Sequence, residues 1–244
     1  VPRTLRAACC LAAVNALAAP ARPLDVAIRS GPTVRVYEVA SQDDAIDAAC
    51  EDGSDPFGSV CWPAAVAAAN ALADLACSRG GSLAGLRVLE LGAGTGLASA
   101  TAAALGADVV ATDVADVSLD LLRRAADAAP ARGMTVRRLD FTDRGQVAAL
   151  GAFDVLVASD TLYEEAIARA TARAAHDCAC QCVVADPGRP DGRWAFLDEL
   201  RALGRAESGA FAPTRVDAAE LGAFQLGAGL AAATIGIWDE TGPG

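Results

Sequence analysis

The segment from Leu86 to Asp113 constrains the fold more strongly than any other part of the chain. Its first apolar run, Val88–Leu91, leads into the glycine-rich stretch Gly92–Gly96, and an alanine- and leucine-rich stretch of helical composition follows. A second apolar run, Val109–Ala111, ends close to the acid Asp113. The order of strand, glycine turn, helix, strand and terminal acid predicts half of a nucleotide-binding α/β sheet.

The glycine spacing and a neighbouring carboxylate narrow the class of ligand. A dinucleotide-binding turn needs a third glycine where this chain has Leu97, and a phosphate-binding P-loop needs a lysine, which the chain lacks. Glu90 stands two residues before the first glycine, where its carboxylate would repel a pyrophosphate but suits a cationic ligand. Asp113 can accept hydrogen bonds from ribose hydroxyls. The pattern therefore favours a ligand with a ribose and a positive charge.

The composition limits the expected partners. A net charge of −11 over 244 residues argues against binding nucleic acid through a basic surface. It suits a basic partner such as a lysine-bearing protein segment, although many acidic proteins are simply soluble. The eight cysteines form no C-x-x-C pair and His176 is the one histidine, so we expect no metal site and a reducing compartment. Cys178, Cys180 and Cys182 alternate on a predicted strand, which would place all three on one face.

The N-terminal residues differ in composition from the rest of the chain. Residues 1–23 contain three arginines and no acid, and their apolar stretch is too short to span a bilayer. They are predicted to be a transit or signal peptide, with a frayed N-terminal helix as the alternative. Together with the reducing compartment that the cysteines indicate, this leads us to expect an intracellular protein without membrane attachment, either cytoplasmic or, if residues 1–23 are a transit peptide, in a mitochondrion or plastid.

Two further regions follow. Residues 24–81 are predicted to be an N-terminal extension that packs on the core, with a strand at Val34–Val39 and a helix at Pro63–Arg79; residues 82–244 hold the main α/β domain. The later helices of that domain are predicted at Ser118–Ala129, Glu164–Ala175 and Trp194–Leu203. Its later strands are predicted at Val136–Phe141, Phe153–Asp160, Cys180–Ala185, Arg215–Val216 and Ala232–Trp238. Five α/β units are thus followed by a pair of strands.

Four motifs in this order resemble those of a known enzyme family. They are Gly58–Ala65, which contains Trp62, the glycine loop Glu90–Gly96, Leu139–Phe141, and Ser159–Tyr163. The chain resembles the class I (seven-β-strand) S-adenosylmethionine-dependent methyltransferases, and among them methyltransferase family 16, which modifies lysines of non-histone proteins. The resemblance covers about residues 32–240, and one departure is Phe141, where the family has tryptophan. It implies an α/β, Rossmann-like seven-stranded sheet with helices on both faces.

The resemblance also implies a cofactor, S-adenosyl-L-methionine, and the residues that hold it. The glycine loop would approach its methionine part, Glu90 would meet its ammonium directly or through water, and Asp113 would hold its ribose. Asp140 and Phe141 of the third motif would flank the adenine, Ser159 of the fourth would lie along the methionine side, and Trp62 of the first would close over the cofactor. The implied cofactor-binding residues are Trp62, Glu90, Gly92, Ala93, Gly94, Asp113, Asp140, Phe141 and Ser159.

Asp160 and Tyr163 are the residues implied to act in the chemistry. Asp160 would accept a hydrogen bond from the target amine and aim its lone pair, and Tyr163 would line the lysine channel. Each also has a structural alternative, because Asp160 could cap the following helix, Tyr163 could be a packing residue, and Trp62 could belong to the core.

The sequence thus favours an S-adenosylmethionine-dependent protein-lysine N-methyltransferase, expected as a monomer with a protein substrate and no nucleic acid. Two alternatives remain at this stage. One is a small-molecule N-methyltransferase of the nicotinamide type, and the other is a cofactor-binding scaffold without catalysis.

Overall fold

The computed structural model describes residues 20–41, 43, 46, 55–129, 133–204, 212–215 and 232–239. The first described element is an antiparallel hairpin of β1 (Ala21–Ala27) and β2 (Thr33–Val39). The predicted strand at Val34–Val39 is therefore present, while its partner β1 was not predicted. Because β1 begins at Ala21, the predicted boundary at Pro23 falls inside a strand.

The other strands form one seven-stranded sheet, as predicted. They are β3 (Arg87–Leu91), β4 (Asp108–Asp113), β5 (Met134–Arg138), β6 (Phe153–Ser159), β7 (Ala179–Asp186), β8 (Ala212–Arg215) and β9 (Ala232–Asp239). Their order is β5-β4-β3-β6-β7-β9-β8. The first five strands are parallel, β9 runs antiparallel to β7, and β8 runs antiparallel to β9. The strand order reverses between β3 and β6, and open α/β sheets bind ligands at the carboxyl ends of such a pair.

Helices cover both faces of this sheet. They are α1 (Pro63–Ser78), α2 (Leu97–Ala104), α3 (Asp116–Ala128), α4 (Arg144–Ala148), α5 (Glu165–Cys178) and α6 (Pro190–Ala202). Val88 packs with α1, α2 and the hairpin, whereas its neighbour Leu89 packs with α5 and α6. Successive side chains of a strand point to opposite faces, so β3 is buried on both sides. None of the helices in the described part of the chain is long and apolar enough to cross a membrane.

Three local predictions differ from the structure. β5 ends at Arg138, so Leu139–Phe141 forms a turn beyond the strand, and the short helix α4 was not predicted. The prediction that Cys178 shares a strand face with Cys182 is wrong. Helix α5 continues to Cys178, whose Sγ donates to the Ala174 carbonyl at 2.8 Å. The described residues contain no cluster suited to a metal ion.

Candidate functional site

A cavity of about 380 Å³ lies at the carboxyl ends of β3, β4 and β6. The loop after β3, the end of β4, the turn after β5 and the end of β6 all contribute to its walls, and a segment before α1 closes it from the side. All the predicted site residues except Glu90 line it, namely Trp62, Gly92, Ala93, Gly94, Asp113, Asp140, Phe141, Ser159, Asp160 and Tyr163. The fold therefore brings together side chains that are widely separated in sequence.

The glycine loop presents bare backbone to this cavity. Gly92 and Gly94 have φ of +57° and +55°, a left-handed conformation that side chains other than glycine adopt at a cost. A Cβ atom at Gly94 would also lie 3.0 Å from the Gly58 carbonyl oxygen. The loop thus packs directly on the segment before α1, and it leads into the N-terminus of α2.

Asp113 fixes the loop from the end of β4. Its Oδ2 accepts from the backbone N–H of Gly94 and its Oδ1 from that of Ala115, both at 2.9 Å. Burial raises the pKa of Asp113, and these backbone donors oppose that rise. A carboxylate offers about four acceptor sites, so hydroxyls of a ribose can still be bound. The nearby Ser118 hydroxyl, also on the cavity wall, has no hydrogen-bond partner among the described residues.

Glu90 lies outside the lining of the cavity. It is fully buried beneath the glycine loop, where Oε2 accepts from the backbone N–H of Ser99 at 2.8 Å and from the Ser99 hydroxyl. Its Oε1 has no partner in the described part of the protein. Burial raises the pKa of Glu90 to about 7, although the Ser99 hydrogen bonds lower it. The two Ser99 donors hold this carboxylate against the first turn of α2. Its contact with a ligand ammonium, directly or through water, stays a prediction.

Two aromatic residues border the cavity. Phe141 is half-buried beside Gly92, where a Cβ atom on the glycine would lie 3.8 Å from the ring. Trp62 is half-buried, and its indole Nε1 donates to the Phe57 carbonyl at 2.7 Å, which closes the segment before α1 into a loop. Asp140 is exposed and caps its own turn, since its Oδ1 accepts from the backbone N–H of Thr142 at 3.0 Å.

A buried carboxylate of the N-terminal hairpin anchors the wall that carries Trp62. Glu38 is fully buried in β2, and its Oε1 accepts from the backbone N–H of Cys61 at 2.8 Å. Its Oε2 accepts from Arg22 of β1, also at 2.8 Å. The hairpin therefore holds one wall of the cavity in place, and sequence analysis did not identify this role.

Asp160 has an unusual backbone conformation. Its φ is +59°, and a non-glycine residue in this region stores strain of order 1–3 kcal/mol. Its N–H donates to the Ala185 carbonyl at 2.8 Å, which ties the end of β6 to the end of β7. The side chain is only 14% exposed, and Oδ1 accepts from the guanidinium of Arg189. Burial raises the pKa of Asp160, and the Arg189 contact opposes that rise.

Tyr163 stands at the mouth of the cavity with half of its surface exposed. Burial raises the pKa of its phenol, and so do nearby negative charges. The carboxylates responsible are, in order of effect, Asp55, Glu164, Asp113 and Asp160. The mouth is therefore acidic.

Arg189 is a site residue that sequence analysis missed. The sequence patterns gave it no role in the site, but its side chain lines the cavity. Asp186 is fully buried and shapes this turn, accepting from the backbone N–H groups of Gly188 and Arg189 and from Nε of Arg193. One signal was available: β6 and β7 are adjacent parallel strands, so the residues that follow them meet at the same edge of the sheet.

Comparison with family models identifies the chain. A model described as lysine methyltransferase matches residues 41–198, which is more than half of the sequence. The chain belongs to this family. It is therefore an S-adenosylmethionine-dependent methyltransferase, as the glycine loop and Asp113 had implied. Comparison with curated protein sequences gives no match.

Solved methyltransferase structures share the fold of this methyltransferase. One is PH1948 from Pyrococcus horikoshii, described as an RNA methyltransferase, with 20% identity and a TM-score of 0.52 over 71% of this chain and 83% of that one. Another is the Thermus thermophilus 16S rRNA methyltransferase RsmC in complex with S-adenosylmethionine and guanosine. It has 17% identity and a TM-score of 0.56 over 90% of this chain and 50% of that one. A third, SMU.776 with S-adenosylhomocysteine, has 14% identity and a TM-score of 0.53 over 73% of this chain and 50% of that one.

The charges around the cavity fit the cofactor of this family. S-adenosylmethionine has a sulfonium and an ammonium and no phosphate. Among the described lining residues, Arg189 is the one basic side chain, and four are carboxylates: Asp55, Asp113, Asp140 and Asp160. In addition, Ser118 Oγ and Glu90 Oε1 are buried polar atoms without a partner in the described region, at and beneath the cavity wall. The residues present therefore suit a cationic nucleoside.

Proposed function

We propose that this methyltransferase modifies lysine side chains of a non-histone protein. The observation that carries the proposal is the position of Asp160, a largely buried carboxylate in the wall of the cofactor cavity that is already in contact with a cationic side chain. Asp160 lies beside Tyr163 at the open mouth. A carboxylate there can hold an amine that reaches in from outside.

The chemistry requires a neutral amine held in one direction. Unperturbed lysine has a pKa of about 10.4, so desolvation in the channel and a nearby positive charge must favour its neutral form. S-adenosylmethionine supplies an electrophilic methyl group. Asp160 accepts a hydrogen bond from the amine and so directs its lone pair, while Tyr163 walls the channel. The amine gains the methyl group and releases one proton to solvent, and positioning and desolvation supply most of the rate.

The surface around the mouth suits a protein segment. Phe57, Val114 and Tyr163 line the cavity and are 59%, 54% and 50% exposed. Exposed apolar residues that cluster in this way are typical of binding surfaces. Together with the carboxylates that surround Tyr163, they form an apolar and acidic rim, which complements a basic, lysine-bearing segment.

Charge argues against the nucleic-acid substrates of some structurally similar enzymes. RsmC is named as an rRNA methyltransferase, but proteins that bind RNA neutralise phosphates with arginine and lysine. Here the cavity has one arginine against four carboxylates among its described lining residues, and the whole chain carries a net charge of −11. A small amine remains the nearest rival, because it also fits beside Asp160.

The test is transfer of labelled methyl groups from S-adenosylmethionine into an extract of the source organism. Labelled proteins are separated on a gel and hydrolysed, and the methylated amino acid is identified. The chain contains no lysine, so labelled methyl-lysine cannot arise from the enzyme itself. The control is Asp160→Ala, which removes both acceptor oxygens of the side chain.

We expect a discrete labelled band containing methyl-lysine, reduced roughly 100-fold with Asp160→Ala because no side-chain oxygen then directs the amine. Label confined to small molecules would replace the proposal with a small-molecule N-methyltransferase. Label in RNA would overturn the charge argument. Absence of transfer by a protein that binds the cofactor would indicate a scaffold.

A further inference from the structure

The contact between Asp160 and Arg189 is built into the packing of α6. Arg189 directly precedes α6, and its backbone N–H donates to buried Asp186 at 3.0 Å. A Cβ atom at Gly192, in the first turn of α6, would lie 1.8 Å from the Leu162 carbonyl oxygen. Glycine therefore lets α6 approach the segment after β6 more closely than any other residue could. This approach sets the Arg189 guanidinium against Asp160.

We propose that Arg189 neutralises the charge of Asp160, so that the target amine is held by hydrogen bonding without being stabilised as an ammonium ion. This inference rests on the proposed amine substrate and names the residue that controls its protonation. Arg189 is then a positioning and specificity-determining residue. It favours amines that lose their proton on entry.

The reason is electrostatic. A lone carboxylate beside an amine favours the ammonium form, which has no lone pair and cannot be methylated. Each unit by which the amine pKa rises lowers the reactive neutral fraction about tenfold. A guanidinium stays protonated throughout the working pH range, so its charge offsets that of the carboxylate at every pH. The oxygen atoms of Asp160 nevertheless remain hydrogen-bond acceptors.

Several other charged groups face this pair. Asp186 lies on the β7 side and is itself paired with Arg193 at 2.7 Å. The remaining groups come from the loop before α1, the end of β4, the turn after β5 and the start of α5: Asp55, Asp113, Asp140, Glu164 and the Tyr163 phenol. Apart from Arg193 and the Tyr163 phenol, all of these groups are carboxylates, so without Arg189 the amine would meet a mostly negative surrounding.

Methyl transfer takes place at the neutral amine nitrogen. The lysine ammonium gives one proton to water as it enters the channel. The neutral nitrogen forms the N–C bond while the S–C bond of the cofactor breaks, and the positive charge passes from sulfur to nitrogen. The methylated ammonium then leaves, and any further methylation requires loss of another proton.

The first measurement is the pH dependence of kcat. Wild type, Arg189→Gln and Arg189→Lys are compared between pH 6.5 and 10.5. The substrate is the protein that the labelling of the extract identifies, used in its unmethylated form. Arg201→Gln, in the exposed last turn of α6, is the matched control for loss of one charge. We expect the pH at which kcat is half-maximal to be about one unit or more higher in Arg189→Gln than in wild type. In Arg189→Lys this pH should return to the wild-type value. A kcat that is lower at every pH, with an unchanged midpoint, would overturn the inference.

The second measurement needs no turnover. S-adenosylmethionine and S-adenosylhomocysteine differ at sulfur by a methyl group and one positive charge, so calorimetry compares their affinities in each variant. Removal of the Arg189 charge should strengthen binding of the sulfonium form relative to the neutral form by about threefold or more. Arg189→Met serves as a second neutral variant. If the ratio of the two affinities is the same as in wild type in both Arg189→Gln and Arg189→Met, the inference is wrong. If wild type methylates no protein amine, the proposed function fails, while this ratio still tests the charge of Arg189.

Discussion

The buried carboxylate of Glu90 should make the stability of the protein depend on pH in a defined window. Its pKa is about 7 in the folded protein, against an ordinary value of 4.5, and burial is the main cause. The unfolded chain therefore releases this proton at a lower pH than the folded protein does. Consequently, the contribution of Glu90 to the free energy of unfolding falls as pH rises from about 4.5 to about 7.

The size of this effect follows from the difference of about 2.5 pH units between the two states. At about 1.4 kcal/mol per unit, the loss amounts to roughly 3 kcal/mol once the pH exceeds 7. Glu90→Gln removes the titration and leaves an oxygen that accepts from Ser99. The stability of the variant relative to wild type should therefore increase by about 2–3 kcal/mol between pH 5 and pH 8, since a small part of the loss has already occurred at pH 5, and contributions from other groups largely cancel.

Urea unfolding at intervals of half a pH unit measures this difference. Ser99→Ala serves as an opposite control, because it removes one hydrogen bond that lowers the Glu90 pKa and should move the upper end of the window above pH 7. Parallel stability curves for wild type and Glu90→Gln would refute the reasoning, since they would mean that the pKa of Glu90 is the same in both states.

Two further predictions concern the cavity wall and the glycine loop. Glu38→Ala should lower the free energy of unfolding by about 2–4 kcal/mol in urea titrations, because it leaves a buried N–H and an arginine without their acceptor. It should also weaken cofactor binding. Asp25→Asn, which breaks an exposed ion pair of the same hairpin, should leave cofactor binding unchanged. Equal effects of the two variants on cofactor binding would contradict the anchoring role of Glu38. Gly94→Ala and Gly85→Ala should each cost about 1–2 kcal/mol through left-handed strain. Only Gly94→Ala should reduce cofactor affinity in calorimetry, because a Cβ atom at Gly94 would meet the Gly58 carbonyl in the cavity wall, whereas one at Gly85 meets nothing within 4 Å. A loss of cofactor affinity in both variants would contradict this prediction.

The matched family region begins at residue 41, yet the hairpin before it takes part in the site. Glu38 reaches across 23 residues to the backbone of Cys61, next to the tryptophan that borders the cavity. Shortening the chain to the matched region would therefore leave this cavity wall without its anchor. The family pattern alone does not reveal this dependence.

Most of the residues around the cavity were identified through the resemblance to a family. The sequence by itself determined the central strand–glycine–helix–strand unit and the seven strands of the sheet. These features are local: apolar runs define buried strands, glycine permits the left-handed turn at Gly94, and Asp113 follows directly from its strand. The same local reasoning placed Cys178 on a strand, because the end of α5 has no glycine or proline to mark it.

Only the tertiary structure decided which side chains meet. Asp160 and Arg189 are 29 residues apart, and they touch because β6 and β7 are neighbours and Gly192 lets α6 approach. Glu90 lies outside the cavity lining and is paired with Ser99 of α2, which offers it two donors. Local sequence fixes the conformation of a segment and the face that it buries. The partner of a buried charge depends on packing between distant segments, which no local pattern encodes.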